Sequence, residues 1–102
     1  MTPLDQDRTP YFDVLLDYVR AGTVSFHTPG HKQGAGMHAR LRDVIGDGVL
    51  SIDLTQIRGL DDLNQPEGPI QAAHELAAAA YGARQSYFLV NGSTAGNQAM
   101  LM

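Results

Sequence analysis

The stretch from Tyr87 to Gln98 constrains the fold of this chain more than any other part of the sequence. It begins as a short apolar run, breaks at Asn91 and Gly92 into a small polar turn, and resumes helical spacing near Thr94. This order predicts a strand, a tight turn and a helix. The start of a helix has backbone N–H groups without partners at the positive end of the helix dipole, so the turn is a candidate phosphate site.

The residues of the turn suit an anion, but they also suit a simple helix cap. Hydroxyls at Ser93 and Thr94 can add neutral hydrogen bonds, and Gly92 allows close approach of the backbone. However, serine and threonine are also common at this position simply because they cap helices. The glycines do not form a Walker loop or a dinucleotide fingerprint, which leaves the turn itself as the only signal.

Composition narrows the class of protein. The 102 residues allow one domain at most, and the absence of cysteine excludes disulfides, thiolate nucleophiles and cysteine-based zinc sites. A net charge of −4 with dispersed basic residues argues against a nucleic-acid partner. Without a long apolar run or a signal peptide, we expect no membrane partner and a cytoplasmic location.

Proline and glycine divide the chain into predicted elements. Helices are expected at 10–21, 37–45 and 69–81, and a fourth from about 94, each of the first three ending at a glycine. Alternation over 50–54 and the apolar run over 86–90 predict short strands. The last helix reaches Met102 without a capping residue, so we expect a piece of a longer polypeptide.

Two loops contain most of the remaining polar side chains. Residues 23–34 include His27, His31 and Lys32 around Pro29-Gly30, a turn that excludes a helical metal pair, and their composition favours a solvated loop over a functional one. In the long loop over 55–69, Asp61 and Asp62 can meet a cationic ligand, hold a metal or cap a turn, the last being commonest. In the helix that follows this loop, His74 is predicted to be a packed histidine.

Taken together, several blocks of the sequence resemble the Orn/Lys/Arg decarboxylases, pyridoxal-phosphate enzymes of the aspartate-aminotransferase fold. The resemblance covers nearly the whole chain from residue 9, in matching order and spacing. The blocks are Thr9-Pro10, Phe26-His27-Thr28-Pro29-Gly30-His31-Lys32, Asp53-Leu54-Thr55, Gly59-Leu60-Asp61-Asp62-Leu63, Pro66-Glu67-Gly68 and the residues from Phe88 to Asn97.

The resemblance implies an α/β fold of type I, of which this chain would be the mostly helical N-terminal part with short strands. It divides the chain into an arm and first helix (1–22), loops at the active-site mouth and subunit interface with a short helix (23–68), and the start of the large cofactor-binding domain (69–102). It implies that Ser93, Thr94 and the backbone of Ala95 bind the phosphate of pyridoxal 5'-phosphate. His27, His31, Lys32, Asp61 and Asp62 would lie at the substrate entrance or interface.

The family also implies a basic amino acid as substrate, a homodimer or larger assembly, and a Schiff-base lysine that follows the phosphate loop. Lys32 follows a histidine as that lysine does, but it precedes the phosphate loop, so we predict no catalytic residue among these 102 residues. We also predict no metal ligand among them. Alone, they are expected to be inactive and to self-associate or fold poorly. Gln56, Arg58 and Asn64 depart from the family pattern and affect the expected substrate preference more than the reaction class.

Two other functions stay open from the sequence. One is a non-catalytic fragment or pseudoenzyme that only associates with partners. The other is a different enzyme of the same fold, such as an aminotransferase or an aldolase-type lyase.

Overall fold

A computed structural model describes residues 3–102, and the first two residues of the predicted N-terminal arm lie outside this range. The described chain is helical, with connecting loops and no strand. Its helices are α1 (Pro10–Arg20), α2 (Ala39–Ile45), α3 (Asp47–Ser51), α4 (Pro69–Tyr81) and α5 (Gly92–Leu101). None of the helices in residues 3–102 has both the length and the apolar character needed to cross a membrane.

The core lies at the contact between α1 and α4 and includes part of the loop that precedes α4. Leu60 in that loop is fully buried, and α4 contributes Ile70, Leu76 and Ala78. The radius of gyration is 16.3 Å, against about 13 Å for a compact domain of this length. The chain therefore forms an open arrangement around a small core.

The predicted helix ends are confirmed where proline and glycine mark them. Pro10 and Pro69 occupy the first turns of α1 and α4, where the missing N–H is not needed. Gly82 ends α4 in the left-handed conformation, with φ of 64°. The fourth helix predicted from the sequence corresponds to α5. It begins at Gly92, two residues before the predicted start at Thr94.

The strand predicted over 50–54 is wrong, because the chain forms the short helix α3 there. Gly46, with φ of 80°, turns the chain between α2 and α3. Leu50 is buried against Gly34 and is the only buried residue of α3. The alternation of Leu50, Ile52 and Leu54 thus reflects one buried residue followed by half-buried ones, and no strand in residues 3–102 pairs with them.

The strand predicted over 86–90 is also not formed. Within the described chain, residues 84–90 make no backbone–backbone hydrogen bond, so there is no sheet ladder. The N–H of Phe88 instead donates to the Nε2 atom of His74 on α4, at 3.1 Å. This extended segment connects α4 to the turn at Asn91 and Gly92.

Candidate functional site

The turn that begins α5 leaves backbone N–H groups open at the start of a helix. Asn91 and Gly92 both have positive φ, 68° and 73°, which turns the chain sharply into the helix. In the described chain, the N–H groups of Gly92, Ser93 and Thr94 donate to no other group. No acidic residue lies in the first turn of α5, so the partial positive charge there is not neutralised locally.

Space around the turn is open. A Cβ atom placed on Gly92 would contact nothing within 4 Å, and the side chains of Ser93 and Thr94 are exposed. By contrast, a Cβ atom on Gly96 would lie 2.7 Å from Cδ1 of Leu89. The leucine side chain therefore packs directly on the backbone of α5, at the residue that follows the predicted phosphate residues.

In the loop over 23–34, His27 and Lys32 lie close together. The Nδ1 atom of His27 is 2.6 Å from the carbonyl oxygen of Thr28, and only a protonated nitrogen can make that hydrogen bond. Its Nε2 atom accepts from the hydroxyl of Tyr18 on α1, at 3.2 Å. The Nζ atom of Lys32 donates to the carbonyl oxygen of His27, at 2.9 Å. These contacts attach the loop to α1.

His31 is held by groups on both sides of its ring. Its Nδ1 atom accepts from the backbone N–H of Gly34 at 2.9 Å, and its Nε2 atom lies 2.8 Å from a carboxylate oxygen of Asp53. Since a backbone N–H can only donate, Nδ1 has a lone pair and Nε2 carries the proton. With both nitrogens bonded, His31 connects its loop to the chain after α3 and has no nitrogen available as a general base.

The carboxylate of Asp61 organises the loop before α4. One oxygen accepts from the N–H groups of Asp62 and Glu67, at 2.9 and 3.0 Å. The other accepts from Gly68 and Ile70, both at 2.9 Å, and so caps α4. Desolvation raises the pKa of this carboxyl, but the four N–H donors outweigh it and lower the pKa to about 2.

Asp62 has a looser role than its neighbour. One of its oxygens accepts from the N–H of Asn64 at 2.8 Å, which closes a local turn, and the side chain is exposed. Of the three roles left open by the sequence, the observed hydrogen bonds are those of the turn-capping alternative, and Asp61 reaches further along the chain than a turn cap does. Burial and, to a smaller extent, the negative charge of Asp61 raise the pKa of the Tyr11 hydroxyl on α1.

His74 is the packed histidine that the sequence predicts, and it is 6% exposed. Its ring meets the ring of Phe88 edge to face, with 4.4 Å between centroids. The sequence did not predict that its Nε2 atom accepts the N–H of Phe88. The pattern that could have indicated this bond is a histidine on the inner face of a helix, followed along the chain by an apolar segment.

The described residues keep the predicted site groups in separate clusters. No hydrogen bond or ion pair in residues 3–102 joins Ser93 or Thr94 to the two histidines of the 23–34 loop or to Asp61. The same range contains no group of three or more side chains placed to hold a metal ion. Within the described residues, the turn at α5 and the loop before α4 are therefore not joined through their predicted site side chains.

Comparison with known proteins finds a match for residues 9–102 in the family described as "Orn/Lys/Arg decarboxylase, major domain". An arginine decarboxylase from Halalkalibacterium halodurans is 46% identical over 97 residues, which are 95% of this chain and 20% of that protein. An arginine decarboxylase from Bacillus anthracis is 42% identical over 102 residues, 100% of this chain and 21% of that protein.

The constitutive ornithine decarboxylase of Escherichia coli is 34% identical over 97 residues, covering 87% of this chain and 13% of that protein. The chain thus spans about a fifth or less of the length of these curated relatives. No solved structure matches it.

Proposed function

Because the chain belongs to the Orn/Lys/Arg decarboxylase family, we propose that it forms part of a pyridoxal-phosphate-dependent decarboxylase of a basic amino acid. Its relatives are named arginine and ornithine decarboxylases, which supports arginine, lysine or ornithine as the substrate class. The observation that carries the proposal is the open N-terminal turn of α5. The surrounding domain would have the α/β fold of type I.

The residues of this turn fit the phosphate group of the cofactor. The N–H groups of Gly92, Ser93 and Thr94 have no partner in residues 3–102, and no acidic side chain in the first turn would repel a dianion. The hydroxyls of Ser93 and Thr94 and the backbone of Ala95 would complete the binding set. Pyridoxal phosphate would supply the electron sink for loss of CO2, and this chain would hold and orient it.

The loop residues would contribute to the substrate entrance or to contacts between subunits of a homodimer or larger assembly. His31 and Asp61 are saturated by neighbouring groups, so each would act by holding its loop in place. Asp62 is exposed and uses one oxygen for a local turn, so it is better placed to meet the cationic end of a substrate. Lys32 would serve the entrance through its exposed ammonium group.

The test compares pyridoxal 5'-phosphate with pyridoxal, which lacks the phosphate, in the full chain as it is expressed. Replacing Ser93 and Thr94 together by alanine removes two hydrogen bonds from hydroxyl groups to a charged phosphate, so we expect affinity for the phosphorylated form to fall about a hundredfold or more. Affinity for pyridoxal should change little. Thr23→Ala is the matched control, because Thr23 is exposed and makes no hydrogen bond in the described chain.

Equal losses for the two ligands would contradict a phosphate role for this turn. The reaction itself is tested by product analysis with arginine, lysine and ornithine. Released CO2 together with agmatine, cadaverine or putrescine supports the decarboxylase. A keto acid product would instead identify an aminotransferase, and no binding or turnover would favour a non-catalytic protein.

A further inference from the structure

The segment over 84–90 joins α4 to the turn of α5 with few attachments of its own. Within the described chain, its only hydrogen bond to the rest of the molecule runs from the N–H of Phe88 to the Nε2 atom of His74, at 3.1 Å. The nearest other bond is from the N–H of Ala83 to the carbonyl oxygen of Ala78, at the end of α4. The contact at Phe88 therefore sets how the segment lies along α4.

The position of α5 depends on this segment. Among residues 3–102, the extensive helix contacts are those of α1 with α4 and of α2 with α3, and α5 has none of comparable extent. The side chain of Leu89 packs on the backbone of Gly96, where a Cβ atom would lie 2.7 Å from Cδ1. Phe88 is thus fixed to α4, and its neighbour Leu89 is fixed to α5.

The ring of His74 is suited to anchor the segment. It is 6% exposed, and its ring contacts Phe88 at 4.4 Å and Tyr87 at 6.3 Å between centroids, in both cases edge to face. Because the backbone N–H can only donate, Nε2 must keep its lone pair for the bond to exist. An apolar residue of similar size would keep much of the packing but would lose the acceptor.

We propose that His74 is a positioning residue, whose Nε2 atom fixes Phe88 on α4 and thereby places the Gly92–Thr94 turn where it meets a phosphate group. This inference rests on the proposed function for its ligand. His74 touches neither the phosphate nor the substrate in this proposal. It acts through the backbone of Phe88 and the packing of Leu89 on α5.

The experiment uses the full chain as it is expressed, with three variants. His74→Leu removes the acceptor, whereas His74→Gln offers an amide oxygen in its place. Ala79→Gly is the control, because Ala79 is exposed on α4 and glycine there weakens the helix without touching the anchor. Each variant is measured by hydrogen exchange of the Phe88 amide and by affinity for pyridoxal 5'-phosphate and for pyridoxal.

In His74→Leu we expect the Phe88 amide to exchange about tenfold faster, and the preference for the phosphorylated ligand to fall about tenfold, as expected for a lost buried hydrogen bond. His74→Gln should restore both values to within about threefold of the wild type, since its oxygen can accept the same N–H. In Ala79→Gly, exchange should rise in α4 while the preference for phosphate stays unchanged.

The two proposals fail in different ways. If wild-type protein binds pyridoxal as tightly as its phosphate ester, the phosphate role of the turn is refuted, and so is the ligand part of this inference. If the wild type prefers the phosphate ester and His74→Leu keeps that preference, the positioning role alone is refuted. If the hydrogen exchange rate of the Phe88 amide is unchanged in His74→Leu, the role of the His74–Phe88 hydrogen bond is likewise refuted.

Discussion

Replacing Asp61 by asparagine tests the organisation of the loop before α4. In the native loop, each carboxylate oxygen accepts two N–H groups, and Gly68 and Ile70 share one of these oxygens. An asparagine side chain keeps one oxygen and adds an NH2 group, which cannot accept. Whichever way the amide is oriented, two of the four backbone donors would lose their acceptor and face a donor instead.

The size of the effect follows from the pKa of Asp61 and from the lost bonds. Lowering the pKa from 3.8 to about 2 corresponds at full weight to about 2.5 kcal/mol, since each pKa unit is about 1.4 kcal/mol. The side chain is partly exposed, and solvent screening reduces this to about 1–2 kcal/mol. Loss of a helix N-cap costs about 1 kcal/mol in other proteins, which is the same range.

The assay is urea unfolding of the full chain at several pH values, with hydrogen exchange at Gly68 and Ile70 as the local measure. A depressed pKa means that the stabilisation is present above pH 3.8 and is lost as pH falls towards about 2. The difference between wild type and Asp61→Asn should therefore be about 1–2 kcal/mol at pH 7 and shrink over that interval.

Asp62→Asn is the matched control, because the asparagine oxygen can still accept the N–H of Asn64, so it should change stability by less than about 0.5 kcal/mol. Equal effects of the two substitutions would refute the special role of Asp61. So would a difference from wild type that stays constant between pH 5 and pH 2.

Two further substitutions test the core and the first loop, both by urea unfolding. Leu60→Ala removes a fully buried side chain and should cost about 3 kcal/mol, whereas Val44→Ala, at an exposed position, should cost less than about 0.5; similar losses would place the core elsewhere. Gly34 has φ of 99°, and a Cβ atom added there would lie 3.0 Å from the Cβ atom of Leu50. Gly34→Ala should therefore lower the free energy of unfolding by about 2 kcal/mol. Gly48→Ala has open space within α3 and should be neutral or stabilising by about 0.5 kcal/mol, so an equally harmful Gly48→Ala would contradict this reasoning.

Helix ends were predictable because their causes are local. Pro69 lacks an N–H that the first turn does not need, and Gly82 adopts the left-handed conformation that ends α4 at low cost. The family resemblance was likewise predictable, since it depends on short blocks of sequence in a fixed order. The turn before α5 could be located from the same kind of local pattern, because α5 begins within two residues of the predicted start.

Strand predictions failed because a strand depends on a partner elsewhere in the chain. The run over 86–90 has the composition of a buried strand, yet no other described segment lies beside it to form a ladder. The reach of Asp61 to Ile70, nine positions along, was equally hidden. Asp61 also has a positive φ, 67°, which is uncommon for a residue other than glycine and which the sequence pattern does not indicate.

The hydrogen bonding of the two neighbouring aspartates bears on how a basic substrate would be recognised. An ammonium or guanidinium group could bind Asp61 closely only by displacing backbone donors that already occupy both oxygens. Each displaced N–H would then need a new acceptor, which offsets much of the attraction between opposite charges. Asp62 has an exposed carboxylate with a single backbone donor. A cationic substrate would therefore meet Asp62 at lower cost, while Asp61 would keep the loop and α4 in place during binding.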